Sequence, residues 1–207
     1  MVKVILAKLL QQIALTLSNA ILSMRLKFLF FLLFSSFYIA VANAQSAPAS
    51  ADAIMKAAYQ KATNEKKNVF VMFHASWCAW CHKMDTSLYD PVCRKLFADN
   101  YIIEHLTVYE SKGKENLENP GALALLTKYK GNDIGTPYWM IFDKDGNLLA
   151  DSRMKAGIDF DGPPGDNVGC PASEEEVNYF ISVLKKTSSL NASQLEVIRK
   201  RFRQNEH

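Results

Sequence analysis

Apolar and polar positions divide the chain into a series of short elements. Ile54, Ala57, Ala58 and Ala62 recur at helical spacing and predict a first helix over Ala51–Lys66. Asn68–Ala75 is a compact Val/Phe-rich run, the pattern of a buried strand. From about Cys78 to Leu88 there is no Gly or Pro, and the stretch suits a helix that Asp90-Pro91 interrupts. Pro91 at a first helical position predicts a further short helix through Ala98. Tyr101–Val108 is β-branched and aromatic enough for a second strand, and Gly121–Tyr129 reads as a helix opened by Pro120 and closed by Gly131. Gly135–Phe142 predicts a strand, and the Asp143-Lys144-Asp145-Gly146 turn folds it back onto Asn147–Asp151 as a hairpin. Residues 153–172, rich in Gly, Pro and Asp, read as a long loop of a kind that often carries function. Ser173 with Glu176 forms a capping box for a helix to about Lys186. Ser193 with Glu196 repeats that signature before a basic amphipathic helix, read as a solvated outer turn of the fold. Parallel crossovers followed by a hairpin predict an α/β fold, a mixed sheet with helices on both faces and an extra C-terminal helix.

The first 44 residues have a different character. Arg25 and Lys27 precede a 14-residue apolar run, Phe28–Val41, and then Ala42-Asn43-Ala44. This three-part order predicts a secretory signal peptide cut after Ala44. The run is short for a membrane span of about 20 residues, so membrane contact is expected only through an uncleaved leader. Residues 1–23 are either an extended basic region of that signal or lie before a true start at Met24. The reading is therefore a leader over 1–44, a linker over 45–51, a domain over 52–188 and a helical extension over 189–207. A periplasmic or secreted location follows from it.

Removing the leader changes the charge. Lys3, Lys8, Arg25 and Lys27 leave with it, so 20 of the 24 basic residues remain against 21 acidic ones. That balance holds no basic excess to attract nucleic acid. About 160 residues are left, enough for one domain with a proper core. The four cysteines of an exported chain can persist as disulfides.

Cys78-Ala79-Trp80-Cys81 stands where the first strand meets a helix. Unpaired N–H groups and the positive end of the helix dipole favour a thiolate there, and two cysteines three apart can close and reopen a small disulfide. Four readings apply. Half of a zinc site would need a second closely spaced pair, which Cys93 and Cys170 do not make. Covalent haem matches Cys78-Ala79-Trp80-Cys81-His82 letter for letter, against the strand running straight into the motif and Trp80 inside it. A purely structural disulfide across so short a loop removes little unfolded-state entropy. A redox dithiol fits the setting best, with no metal and no cofactor.

Phe73-His74-Ala75-Ser76-Trp77-Cys78-Ala79-Trp80-Cys81-His82-Lys83, together with Gly135-Thr136-Pro137, resembles the thioredoxin superfamily, most of all its exported thiol:disulfide interchange domains. The resemblance spans about residues 52–188. It implies a thioredoxin fold and a thiol–disulfide oxidoreductase, a reductase rather than an oxidase. Cys78 would be the exposed nucleophile and Cys81 the resolving thiol. Pro137 would be cis, and Trp77, Thr136 and Pro137 would meet substrate, the Thr136 backbone in β-fashion. Partners would be disulfide or dithiol proteins and a redox protein that recycles the dithiol. Two departures stand out: Met72 occupies the position of a buried acid that relays protons, and His74 replaces a common aromatic. His74 and His82 are candidate modulators of the thiolate or merely half-exposed neighbours. Cys93 and Cys170 are read as buried free thiols rather than a second bridge. A thioredoxin-fold binding module with an idle dithiol is the alternative to an enzyme.

Overall fold

The structure, a computed structural model, describes residues 15, 21, 23–25, 27–31, 47–154 and 165–206. The expected cleavage site at 42–44, most of the linker's start and the centre of the 153–172 loop lie outside the described residues. The chain divides into two units, 1–46 and 47–207. In the first, the described residues are helical and expose Met24, Phe28, Leu29, Phe30 and Phe31. Among the described residues no helix is long and apolar enough to cross a membrane.

The second unit is built on a four-stranded sheet. Helix α1 (Ala51–Glu65) starts at Ser50, whose side chain accepts the Ala53 N–H, and ends where Lys66 turns left-handed. Strand β1 (Asn68–His74) follows, then α2 (Ala79–Leu88), α3 (Arg94–Asn100) and β2 (Tyr101–Thr107). After a 3-10 turn come α4 (Ala122–Lys128), the hairpin β3 (Tyr138–Phe142) and β4 (Leu148–Asp151), and finally α5 (Glu174–Thr187) and α6 (Ala192–Arg203). The strand order is β2-β1-β3-β4, with β1 parallel to β2 and β3 antiparallel to both its neighbours. This is the mixed α/β sheet that the element order predicts.

Strand alternation explains the two cores. Phe70 and Met72 of β1, with Trp139 and Ile141 of β3, face a core shared with α2, α3, α5 and α6. Val69, Val71 and Phe73, with Tyr138, Met140 and Phe142, face the other, covered by α1 and α4. The first core is aromatic: Trp139 stacks near Phe70 (5.7 Å) and Phe180 (5.5 Å), and Phe180 meets Phe202 at 4.9 Å.

Three expectations are corrected. Helix α6 is no solvated outer turn, because Leu195, Ile198 and Phe202 are buried in the aromatic core; one such Phe contributes about 1.5–3 kcal/mol of burial. Its capping box is Asn191 with Gln194, not Ser193 with Glu196, since the Asn191 side chain accepts the Gln194 N–H and the Gln194 side chain accepts the Asn191 N–H. Helix α3 begins at Arg94 rather than Pro91, because Asp90 first holds a turn: its side chain accepts the Val92 N–H and its carbonyl accepts the Cys93 and Arg94 N–H groups.

Candidate active site

Strand β1 carries the chain to Ala75, where it turns: the Cys78 N–H donates to the Ala75 carbonyl at 3.1 Å. Cys78 is the N-cap of α2 in extended backbone (φ −78°, ψ 99°). Its Sγ accepts the Cys81 N–H at 3.1 Å, a donor shared with the Cys78 carbonyl at the same distance, so an N–H of the first helical turn is aimed partly at sulfur. Cys78 and Cys81 are joined in a disulfide with Cα atoms 5.2 Å apart. Cys78 retains 3% of its surface and Cys81 none. Cys78 is thus buried in the disulfide form rather than exposed as the resemblance expects, because α2 and the turn from Ala75 close over its sulfur. In the reduced state the same N–H and the helix dipole favour a Cys78 thiolate, an effect of about 0.3–1 kcal/mol for the dipole alone.

One tryptophan precedes the pair and a second lies inside it. Trp77 is 57% exposed and donates its indole N–H to the Tyr109 carbonyl at 2.8 Å. Trp80 is 49% exposed, with the Lys83 ammonium 4.8 Å from its ring. Trp80, Thr136 and Pro137 line one groove of about 220 Å³, whose far wall includes Asn167, Gly169 and Cys170. The Thr136–Pro137 bond is cis. The fold thus brings Thr136 and Pro137 to Trp80, one of the two residues between the cysteines. Trp77 does not line this groove; Trp80 takes that place.

Met72 is buried in the aromatic core, so no carboxylate lies at the position where the resemblance expects a proton relay. An acid reaches the dithiol loop from elsewhere. The Glu110 carboxylate accepts the Ser76 N–H at 2.6 Å and the Ser76 hydroxyl at 2.7 Å. Burial works to raise its carboxyl, but the two Ser76 bonds, the Ser111 N–H and Lys114 outweigh it and hold Glu110 below the usual carboxylate range. Sequence reasoning missed Glu110, because nothing in the pattern pairs it with a serine 34 residues earlier.

The two histidines separate. His82 is exposed, its Nε2 3.0 Å from the Ser76 carbonyl. His74 turns to the second strand: its Nε2 lies 3.3 Å from the Thr107 hydroxyl and its ring 5.3 Å from that of His105, which pairs with Asp85 at 2.8 Å. Burial first, and then His105, push the His74 imidazole below its ordinary value. Cys93 and Cys170 are free and buried. Burial pushes the Cys93 thiol up to about 11 and the Cys170 thiol up to about 12.

Among the described residues no group of three or more His, Cys, Asp or Glu could hold a metal ion. A larger groove of about 470 Å³ between α1 and α4 has neither cysteine nor histidine in its lining.

Residues 51–144 match a family model described as thioredoxin-like. Over this segment the chain is similar to that family. No curated protein matches the chain. Among solved structures it is similar to a disulphide isomerase from Xylella fastidiosa (23% identity, 50% of this chain and 73% of that one, TM-score 0.42). It is also similar to a DsbH oxidoreductase (20%, 62% and 79%, 0.39) and to the oxidised C-terminal domain of Neisseria meningitidis DsbD (20%, 51% and 84%, 0.38).

Proposed function

We propose that the thioredoxin-like domain is an extracytoplasmic thiol–disulfide oxidoreductase that reduces protein disulfides through Cys78 and Cys81. The observation that carries this reading is Cys78 at the cap of α2, its sulfur bonded to Cys81 and accepting the Cys81 N–H, beside the Trp80–Pro137 groove. In the reduced protein the Cys78 thiolate attacks one sulfur of a substrate disulfide, forming a mixed disulfide and expelling a substrate thiolate. Cys81, as thiolate, attacks the Cys78 sulfur, closes the Cys78–Cys81 bond and expels the second substrate thiolate. Two electrons pass to the substrate, which takes up two protons. A dithiol redox protein then reduces the Cys78–Cys81 bond and is itself oxidised. With Met72 at the usual acid position, the proton leaving Cys81 passes to solvent.

The signal-like leader over residues 24–44 supports an extracytoplasmic site of action. The reducing direction follows the resemblance to interchange domains. The test is insulin reduction with dithiothreitol as electron donor, comparing the natural chain with Cys78→Ser. Loss of turnover by about a thousandfold or more is expected. Undiminished turnover in the variant sinks the reading and leaves a binding module, and a reduction potential near that of strong oxidants would reverse the direction.

A further inference from the structure

We infer that Asn167 is a positioning residue that presents the Thr136 backbone to extended protein substrates; this rests on the oxidoreductase reading above. Asn167 belongs to the segment that returns after β4. It pairs as an antiparallel bridge with Arg153, while the Val168 N–H donates to the Ser152 carbonyl at 2.8 Å. Its side chain uses its hydrogen-bonding capacity in full, two donated and two accepted bonds. Nδ2 donates to the Pro137 carbonyl at 3.1 Å and to the Gly135 carbonyl at 3.4 Å. Oδ1 accepts the Ser152 hydroxyl at 2.6 Å and the Gly169 N–H at 3.1 Å.

One amide therefore bridges three pieces of chain around the groove. It takes the carbonyls on either side of Thr136 and leaves Thr136 itself alone: among the described residues neither the N–H nor the carbonyl of Thr136 has a hydrogen-bond partner. A substrate strand could use both groups. The close fit extends to Gly169, where a Cβ would stand 3.2 Å from the Pro137 carbonyl oxygen. Asn167 lies within the Gly/Pro/Asp-rich loop that the sequence singles out, and the groove wall is what that part of the loop builds.

The consequence is a specificity that depends on substrate size. A protein disulfide that docks through backbone hydrogen bonds needs the Thr136 edge held in place, whereas a small disulfide that only reaches Cys78 does not. Asn167→Asp is the discriminating variant. It keeps the shape and both accepted bonds, but sets a carboxylate oxygen against the two carbonyls that Nδ2 served. The experiment compares insulin with bis(2-hydroxyethyl) disulfide as substrates for the natural and variant chains. Circular dichroism monitors the fold, and the Cys78–Cys81 potential is measured for both. The ratio of kcat/KM for insulin to that for the small disulfide should fall about tenfold, carried by KM, without a shift of the potential. An unchanged ratio in a folded variant, or a potential that moves with it, overturns the inference. If Asn167→Asp does not fold, Ser152→Ala removes one of the four Asn167 bonds, together with the long bond by which the Ser152 hydroxyl accepts the Trp139 N–H, and should lower the same ratio by about twofold; an unchanged ratio there also overturns it. A natural chain that turns over neither disulfide is a separate result, and it removes the oxidoreductase reading together with this one.

Discussion

Cys78 and Cys93 both stand at the N-cap of a helix, 15 positions apart, yet one is bonded and the other free, in opposite surroundings. Cys78 has extended backbone that swings its sulfur over the Cys81 N–H, and a second thiol one turn on. Cys93 has helical backbone (φ −103°, ψ −35°), makes no cap bond with its side chain, and has Leu96 where a partner would be. Asp90 holds the turn before α3 and, after burial, is the second cause that drives the Cys93 thiol up. A helix start alone does not make a reactive thiol. The cap conformation, some access and a partner at the right spacing have to coincide.

The largest expected difference is in reactivity. In the reduced protein at pH 8, a Cys93 thiol held near 11 is ionised about once in a thousand molecules, and a Cys170 thiol near 12 about once in ten thousand. Iodoacetamide followed by mass spectrometry should label Cys78 roughly a thousandfold faster than Cys93 in the folded chain. Comparable rates would break the comparison.

Stability should separate the pair in the other direction. Cys93→Ser places a hydroxyl in the apolar core and is expected to cost about 1–3 kcal/mol. In the reduced protein, Cys78→Ser should cost less than about 1 kcal/mol, because serine is a favoured N-cap and can accept the same Cys81 N–H. Urea titrations of the two variants sharpen the contrast; equal losses would show that the Cys78 cap is as dependent on packing as the Cys93 turn.

The smallest effect concerns the loops that support each cap. Glu110 holds Ser76 as a carboxylate, and its folded value lies below the ordinary value of 4.5. Its stabilising effect is therefore complete above about pH 4.5 and is lost as the pH falls through the folded value. Glu110→Gln should flatten that acid limb in a stability–pH profile while leaving the profile above pH 6 nearly parallel to the natural one. An unchanged acid limb would remove Glu110 from the support of the dithiol loop.

Much of the fold was legible in the sequence because local patterns and packing agree. The apolar run Val69–Phe73 could only be a buried strand, and the Asp143–Gly146 turn is closed by the Asp143 carboxylate accepting two backbone N–H groups, as its composition suggested. The dithiol was equally plain, since both halves of its chemistry lie within one helical turn. What could not be read were partnerships between distant segments. Glu110 with Ser76, Asn167 with the Pro137 loop and Phe202 with Phe97 and Phe180 depend on where loops and the last helix land. The cap of α6 was misplaced for a smaller reason: Asn191 and Ser193 are both good caps, and only geometry chooses between them.

Asn205 lies just beyond α6 and ties that end of the chain to the dithiol helix. Its carbonyl accepts the Lys83 ammonium at 2.5 Å and its amide oxygen accepts the Ser87 hydroxyl at 3.0 Å, while its amide nitrogen donates to the Pro171 carbonyl at 3.1 Å. A carboxypeptidase that trimmed the chain back past Asn205 would leave the sheet and both cores standing, yet unfasten one side of α2. Such a trimmed molecule would keep its sheet while the helix that carries Cys81 had lost part of its foundation, so the last residues of the described chain act as a fastening for α2.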